Sequence, residues 1–121
     1  MTHVKLKREI FSDESGKSSK SVITQIEIKN HAGYDESGYD IVCAAVSSAA
    51  ELMMNTLTEN FKCECDIKIV GEPPEIIIKI PGSEFAEEKK SFAVIGLLES
   101  FAVHMKNMER DYPKNLRVIV L

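Results

Sequence analysis

The feature that most constrains the fold is the spacing of apolar residues in segment 41–59. They recur every three or four positions and so line one face of a helix: Val42, Ala45, Val46, Ala49, Leu52, Met53 and Leu57. A helix with one apolar face has to bury that face against another element. The chain has 121 residues, enough to supply that partner within a single domain. We therefore expect residues 1–121 to form one domain.

Alternating apolar and polar residues predict strands on both sides of this helix. Segments 4–11 and 22–29 alternate in this way, and they flank the polar residues 12–21, which are typical of a loop. Segments 63–70 and 76–80 follow the helix as two further strands. The residues between them, Gly-Glu-Pro-Pro-Glu, predict a turn because neither proline can extend a strand ladder.

A second helix and a last strand complete the predicted order. The helix is expected to start between residues 83 and 88 and to end near Arg110. Its predicted core positions are Phe92, Ile95, Leu98, Ala102 and Met105. Segment 116–121 is apolar on nearly both faces, which is typical of a strand that is central in a sheet or buried at an interface.

The resulting order, β-β-α-β-β-α-β, predicts the fold class. Two helices can cover one face of a mixed sheet of about five strands, which gives a two-layer α+β sandwich. The opposite face then carries the alternating polar residues. That face is either exposed to water or partly covered in a dimer.

Charge and composition argue against several classes of partner. Fifteen basic residues against nineteen acidic ones give a net charge of −4, which disfavours broad phosphate-backbone binding, so we expect no direct nucleic-acid partner. No apolar run approaches the roughly 18 residues of a membrane span, and no signal-peptide core follows the first residues. We therefore expect a cytoplasmic protein without a membrane partner. Three cysteines, an odd number, favour reduced thiols over a disulfide framework.

Of the three cysteines, Cys43 lies at the position that most favours a reactive thiol. If Asp40 is the N-cap of the first helix, Cys43 lies in the first turn, where unpaired N–H groups and the helix dipole stabilise a thiolate. Cys43 also lies about 100° from the centre of the apolar stripe, at the edge of the buried face. The Asp40 carboxylate would oppose ionisation of the thiol, or would instead cap the N–H of Cys43. The sequence leaves both possibilities open.

His31 is the residue that could act with this thiol. It opens a glycine-containing loop twelve residues before Cys43, and the loop can fold the imidazole onto the sulfur. Backbone N–H groups at the helix start would then serve as an oxyanion hole. The alternative is that Cys43 is a small core residue of an alanine-rich helix. Tyr34 and Tyr39 flank the loop, either as lids over a substrate or as anchors of the loop.

No pattern in the sequence predicts a metal or another cofactor. Cys63 and Cys65 form a C-x-C pair that lacks the usual zinc-site spacing and continues the apolar row of the following strand, so we expect core packing. The acidic residues Asp35, Glu36 and Asp40 do not form a recognised cation-binding loop. No glycine-rich phosphate loop is present.

Residues 30–48 read NHAGYDESGYDIVCAAVSS, which resembles the signature of the bacterial ribosomal-processing cysteine proteases, the Prp family. The resemblance is most specific in the run from His31 to Gly33, at Gly38 and in residues 40–47. It implies a Cys/His dyad in which Cys43 is the nucleophile and His31 the base. The positions that match without such a role are expected to support the site: Gly33, Gly38, Asp40 and Ser47.

The resemblance also implies a substrate and an assembly. It implies a homodimer that removes a short N-terminal extension from a large-subunit ribosomal protein precursor. In this chain, the candidate substrate-binding residues are Tyr34 and Tyr39. Two departures are visible, since Asn30 replaces the usual glycine before the histidine and the loop 12–21 is longer than expected. One alternative is a non-catalytic ribosome-associated binding or assembly factor. The other is a redox-responsive thiol protein in which Cys63 or Cys65 resolves an oxidised Cys43.

Overall fold

The structure, a computed structural model, describes residues 1–12, 16, 19–30, 39–71 and 75–121. These residues form five strands and two α-helices in the predicted order: β1 (Thr2–Ser12), β2 (Ser19–Asn30), α1 (Tyr39–Asn55), β3 (Asp66–Val70), β4 (Glu75–Lys79), α2 (Glu88–Asp111) and β5 (Leu116–Val120). A π-helical turn, Thr56–Asn60, continues α1, and a 3-10 turn, Gly82–Phe85, precedes α2. The predicted loop 12–21 is too long at both ends, because β1 runs to Ser12 and pairs there with Ser19 of β2; residues 13–15, 17 and 18 lie outside the described residues.

The strands form one mixed sheet in the order β3-β4-β2-β1-β5. The pairs β1–β2, β2–β4 and β4–β3 are antiparallel, whereas β1 and β5 are parallel. The predicted mixed α+β sandwich is therefore confirmed. β5 lies at an edge, so a central position for segment 116–121 is wrong. The apolar end of β5 is exposed to solvent, with Val120 48% and Leu121 66% exposed. The other alternative, that this segment is buried at an interface with a second chain, stays a prediction.

The core lies between one face of the sheet and the two helices. Val4 of β1, Ile26 of β2 and Ile78 of β4 are completely buried, and those of β1 and β2 alternate with exposed or half-buried polar residues. The helices contribute the other half of the core through Val46 and Leu98, among others. This alternation fixes the register, because a slip of one residue would turn every apolar side chain away from the helices.

The buried face of α2 differs from the predicted one. Leu98, Ala102 and Met105 are buried as predicted, but Phe92 is 83% exposed, and Ser91 and Val94 face the core instead. Glu87 caps the helix by accepting hydrogen bonds from the N–H groups of Lys89 and Lys90, so α2 starts at Glu88. The first buried position of α2 is Ser91, one residue before the phenylalanine.

The chain between α1 and β3 is not a strand, contrary to the expectation for segment 63–70. Lys62 has a φ of 54°, a left-handed conformation that ends the helical segment. The Cys63 N–H then donates to the Leu57 carbonyl at 2.9 Å, which keeps Cys63 against the helix end rather than in a ladder. β3 therefore starts only at Asp66. Cys63, 7% exposed, packs in the core as predicted, and Cys65 packs against it.

The helical stretch Ile41–Asn60 is long and apolar enough to cross a membrane by length and composition, with a mean hydropathy of 1.3 in its best window. From the sequence, no apolar run as long as a membrane span is expected. That expectation holds for consecutive apolar residues, but this helix reaches the required length and mean hydropathy with polar residues included. In the fold, Val42, Ala50 and Leu57 of this stretch are buried in the core, although only 28% of the window is buried. Core helices of soluble domains pass the same test, so the finding is weak support for a membrane span.

Candidate active site

The start of α1 carries the residue predicted as the nucleophile. The helix begins at Tyr39, so Asp40 is its second residue and Cys43 its fifth. The predicted N-cap role of Asp40 is wrong, because an N-cap precedes the first helical residue and the backbone of Asp40 is already helical. Cys43 consequently lies two residues further into the helix than expected. The N–H groups of the first turn, which have no partner within the helix, lie on its N-terminal side.

Cys43 lies at the edge of the buried face of α1, as predicted. Its neighbour Val42 and Val46, one turn on, are buried, whereas Cys43 itself is half-buried and its thiol is free. Ser47, one turn beyond Cys43, is exposed on the same edge. A side chain in a helix leans toward the N-terminus, so the Cys43 sulfur is directed toward the first turn and its unpaired N–H groups.

The two flanks of α1 have different surroundings. Ala45, Ala49 and Leu52 lie on the flank that faces α2, where they help to line a groove with a cavity volume of about 500 Å³. Cys43 lies on the opposite flank, since it is about 160° from Ala45 around the helix at 100° per residue. α2 packs on β5 and β2, so α1 covers the half of the sheet that ends in β3. The groove is therefore separate from the cysteine, and the sequence analysis did not predict it.

Most of the predicted partners of Cys43 belong to the connection between β2 and α1. The residues concerned, which lie outside the described part of the chain, are His31, Gly33, Tyr34 and Gly38. The side chains of Tyr39 and Asp40 also lie outside it, although both backbones are helical. β2 ends at Asn30, directly before the histidine, and α1 begins eight residues after that histidine. The pairing of His31 with Cys43 stays a prediction.

Helix geometry separates Cys43 from the other two thiols. The hydrogen bond from Cys63 to Leu57 ties Cys63 to the far end of the helical segment. Leu57 follows Cys43 by fourteen positions along the helical segment, which corresponds to about 20 Å at roughly 1.5 Å per residue. A disulfide needs Cα atoms within about 7 Å. Neither Cys63 nor Cys65 can therefore resolve an oxidised Cys43 in this fold, and the redox alternative loses its structural basis.

Cys63 and Cys65 belong to a buried polar cluster beside the 3-10 turn. Burial, followed by the nearby Glu84 carboxylate, raises the pKa of Cys63; burial, Cys63 and Glu84 together raise the pKa of Cys65 to about 11. Glu84 is only 9% exposed; it pairs with the Lys90 ammonium at 2.7 Å and accepts the Glu64 N–H at 3.1 Å. These contacts hold the pKa of Glu84 below its usual value. The cluster keeps both thiols protonated and ties the chain after α1 to the start of α2.

Metal-ligating side chains do not converge in the part of the chain that the structure describes. No group of three or more histidines, cysteines or carboxylates there has the geometry of a metal site. The distance along α1 also separates Cys43 from the C-x-C pair, so the three cysteines cannot share one ion.

Sequence comparison gives one family for the chain. The profile of the family described as cysteine protease Prp matches residues 11–117. A curated relative, the ribosomal processing cysteine protease Prp of Bacillus subtilis (strain 168), is 29% identical over 96 residues, which cover 79% of this chain and 84% of the relative.

Solved structures share the whole fold. SMU.848 from Streptococcus mutans superimposes with a TM-score of 0.76 at 23% identity, over 100% of this chain and 94% of that one. The ribosomal processing protease Prp from S. aureus, in complex with a substrate peptide, gives a TM-score of 0.74 at 19% identity over the full length of both chains. The same protease with a covalently linked product peptide gives 0.72 at 21% identity, again over both full lengths.

A two-layer sandwich with a half-buried free thiol near the start of its first helix, together with these matches, defines a cysteine protease. The family match covers most of the chain and includes the whole of α1. The chain belongs to the cysteine protease Prp family.

Proposed function

We propose that the protein is an endopeptidase that removes a short N-terminal extension from the precursor of a large-subunit ribosomal protein, with Cys43 as nucleophile and His31 as general base. The observation that carries this proposal is the position of Cys43, half-buried and free near the start of a helix that the family match covers. The curated relative is a ribosomal processing protease by name, and the S. aureus relative was crystallised with a substrate peptide.

The chemistry follows from the position of the thiol. The Cys43 thiolate attacks the scissile carbonyl, and unpaired N–H groups of the first turn of α1 stabilise the oxyanion that forms. His31 takes the thiol proton and returns it to the leaving amine, which releases the mature protein and leaves the extension as a thioester on Cys43. Water then attacks the thioester, with His31 accepting its proton, and the free extension departs as Cys43 is regenerated.

The substrate is proposed to bind as an extended strand. A sheet edge supplies backbone hydrogen bonds to a peptide, and β3 is the edge on the half of the sheet that α1 covers. Tyr34 and Tyr39 would pack on the aromatic side chains of the extension. The acidic residues of the same connection, Asp35 and Glu36, would attract the basic residues that follow the cut in a ribosomal protein.

Cleavage of a peptide that spans the junction tests this proposal. We expect one cut, little turnover when the phenylalanines of the extension become alanine, weaker binding at higher salt, and no digestion of casein. Cys43→Ala and His31→Ala should abolish cleavage while the circular dichroism spectrum stays unchanged, whereas the matched control Cys65→Ser should retain it. Binding of the peptide without cleavage by the wild type would favour the alternative of a non-catalytic ribosome-associated factor. Comparable digestion of casein would contradict the specificity.

We further propose that the protease acts in the cytoplasm as a homodimer. Three free cysteines suit a reducing compartment, where the nucleophile stays reduced. The exposed apolar end of β5, with Val120 and Leu121, suits a contact with a second copy. Light scattering on the purified protein should give twice the chain mass of 13.5 kDa, and a mass of one chain at micromolar concentration would contradict the dimer.

A further inference from the structure

The sheet face opposite the helices collects basic side chains from all five strands. Strand register places alternate residues of each strand on this face, in rows that cross the sheet. The basic residues in these rows are Lys5, Lys7, Lys29, Lys68, Lys79 and Arg117. The acidic residues in the same rows are Glu27, Asp66 and Glu75. We call this surface the open face.

Charge is therefore unevenly distributed between the open face and the rest of the chain. Six basic against three acidic residues leave three positive charges on the described rows. Because the whole chain carries a net charge of −4, all other residues together carry −7. The expectation of no nucleic-acid partner rested on the whole-chain charge, which averages over these two unlike parts of the molecule.

The basic side chains of the open face are available to a ligand. All six are exposed, and among the residues that the structure describes, none of them lies within ion-pair distance of a carboxylate. On the helix side, by contrast, Arg8 pairs with Glu99 and Lys90 with Glu84. Lys5 and Lys29 also border a depression of about 280 Å³ on the open face, together with His3 and the carboxylates of Glu27 and Glu75.

We propose that the open face binds the phosphate backbone of RNA. It spans about 19 Å, since five strands are separated by four intervals of about 4.8 Å, and it presents several ammonium groups over that width. A polyanion with regularly spaced charges can engage several of these groups at once. The rows contain no phenylalanine, tyrosine or tryptophan on which a base could stack, and their one imidazole, His3, is half-buried, so the binding depends on phosphates rather than on base sequence.

An anionic membrane fits this surface less well than RNA. Stable attachment to a lipid surface requires an apolar insertion in addition to basic residues. The apolar residues among the basic rows are Val70, Ile77 and Ile119. Ile77 and Ile119 are half-buried between neighbouring strands, and the exposed Val70 is a single small side chain on the edge strand, which is too little for an anchor. RNA needs only the ammonium groups that the open face offers.

Fluorescence anisotropy with a labelled RNA duplex of 16 base pairs tests the proposal at 50 and 200 mM KCl. With about four phosphate contacts, affinity should fall roughly 100-fold between the two salt concentrations, at a slope of about −0.9 per contact as for duplex DNA. The variant K5Q/K29Q/K68Q should bind at least about tenfold more weakly at 50 mM and should lose between two and three units of that slope. The matched control K62Q/K89Q/K114Q changes the total charge equally, at exposed lysines outside the open face.

The outcomes separate the proposal from its competitors. Unchanged binding by the control variant, and equal affinity for duplexes of unrelated sequence, would support it. No binding at 50 mM KCl, or equal weakening by both triple variants, would overturn it, as would preference for phosphatidylserine vesicles or oligoglutamate over RNA. Cys43→Ala should bind RNA as the wild type does, so this test stands independently of the protease activity.

Discussion

Individual side chains set the reactivity of the three thiols. Cys43 lies at a helix start and at the edge of the core, whereas Cys63 and Cys65 share a cluster with a buried carboxylate. Helical spacing predicted the edge position of Cys43, and apolar alternation predicted the core packing of Cys63, although segment 63–65 is not a strand. The sequence could not reveal Glu84, whose contacts with Glu64 and Lys90 join segments that no local pattern connects.

Alkylation of the native protein should therefore be selective. With its pKa at about 11, Cys65 carries roughly one thiolate in a thousand molecules at pH 8, and the pKa of Cys63 is raised as well. Cys43 should react with iodoacetamide at least about tenfold faster than either. Mass mapping after brief treatment measures the three rates, and equal labelling of all three in folded protein would contradict the assignment.

The Glu84–Lys90 pair should make stability depend on pH. Because the folded pKa of Glu84 is lowered, its contribution is fully present above the unfolded value of about 4.5 and is lost as pH falls through the folded pKa. Glu84→Gln should lower the free energy of unfolding by about 1 kcal/mol at pH 7 and by less at pH 3. Urea unfolding at both pH values measures this, with the exposed Glu51→Gln as control. A pH-independent difference would contradict the account.

At the level of elements, the sequence predicted which segments are helices and strands better than it predicted the buried face of α2 and the start of β3. Helix α2 was placed correctly, yet Phe92 was assigned to its buried face because large apolar residues dominate a periodicity argument. The first buried position of α2 is Ser91, and a small polar residue carries no signal of this kind. The segment 63–65 was assigned to β3 because alternation does not show that Lys62 ends the helix in a left-handed conformation.

Two substitutions in α2 distinguish the observed buried face from the predicted one. Leu98→Ala removes a completely buried side chain and should cost about 2–5 kcal/mol of unfolding free energy. Phe92→Ser changes an exposed position and should cost less than about 0.5 kcal/mol. Urea denaturation of both variants gives the comparison, and a loss at Phe92 as large as that at Leu98 would show that α2 packs by the other face.

At the scale of the whole molecule, composition and periodicity predicted the two-layer sandwich but not its topology. The order β3-β4-β2-β1-β5 depends on contacts between distant segments, such as the parallel pairing of β1 with β5. Because of this topology, β5 lies at an edge of the sheet although it is apolar on nearly both faces. The net charge of −4 likewise gives no indication that one face of the sheet is basic. The site was predicted from a local motif, which is why Cys43 could be placed before the fold was known.

The most direct test of the account is the identity of the residue that becomes acylated during cleavage. We would mix the protein with the junction-spanning peptide, quench in acid within one turnover, and map the adduct by mass spectrometry. The account predicts a thioester between the N-terminal extension and Cys43, with a mass gain equal to the extension less one water, and no adduct in Cys43→Ala or His31→Ala. An adduct on Cys63 or Cys65, or undiminished cleavage by Cys43→Ala, would contradict it.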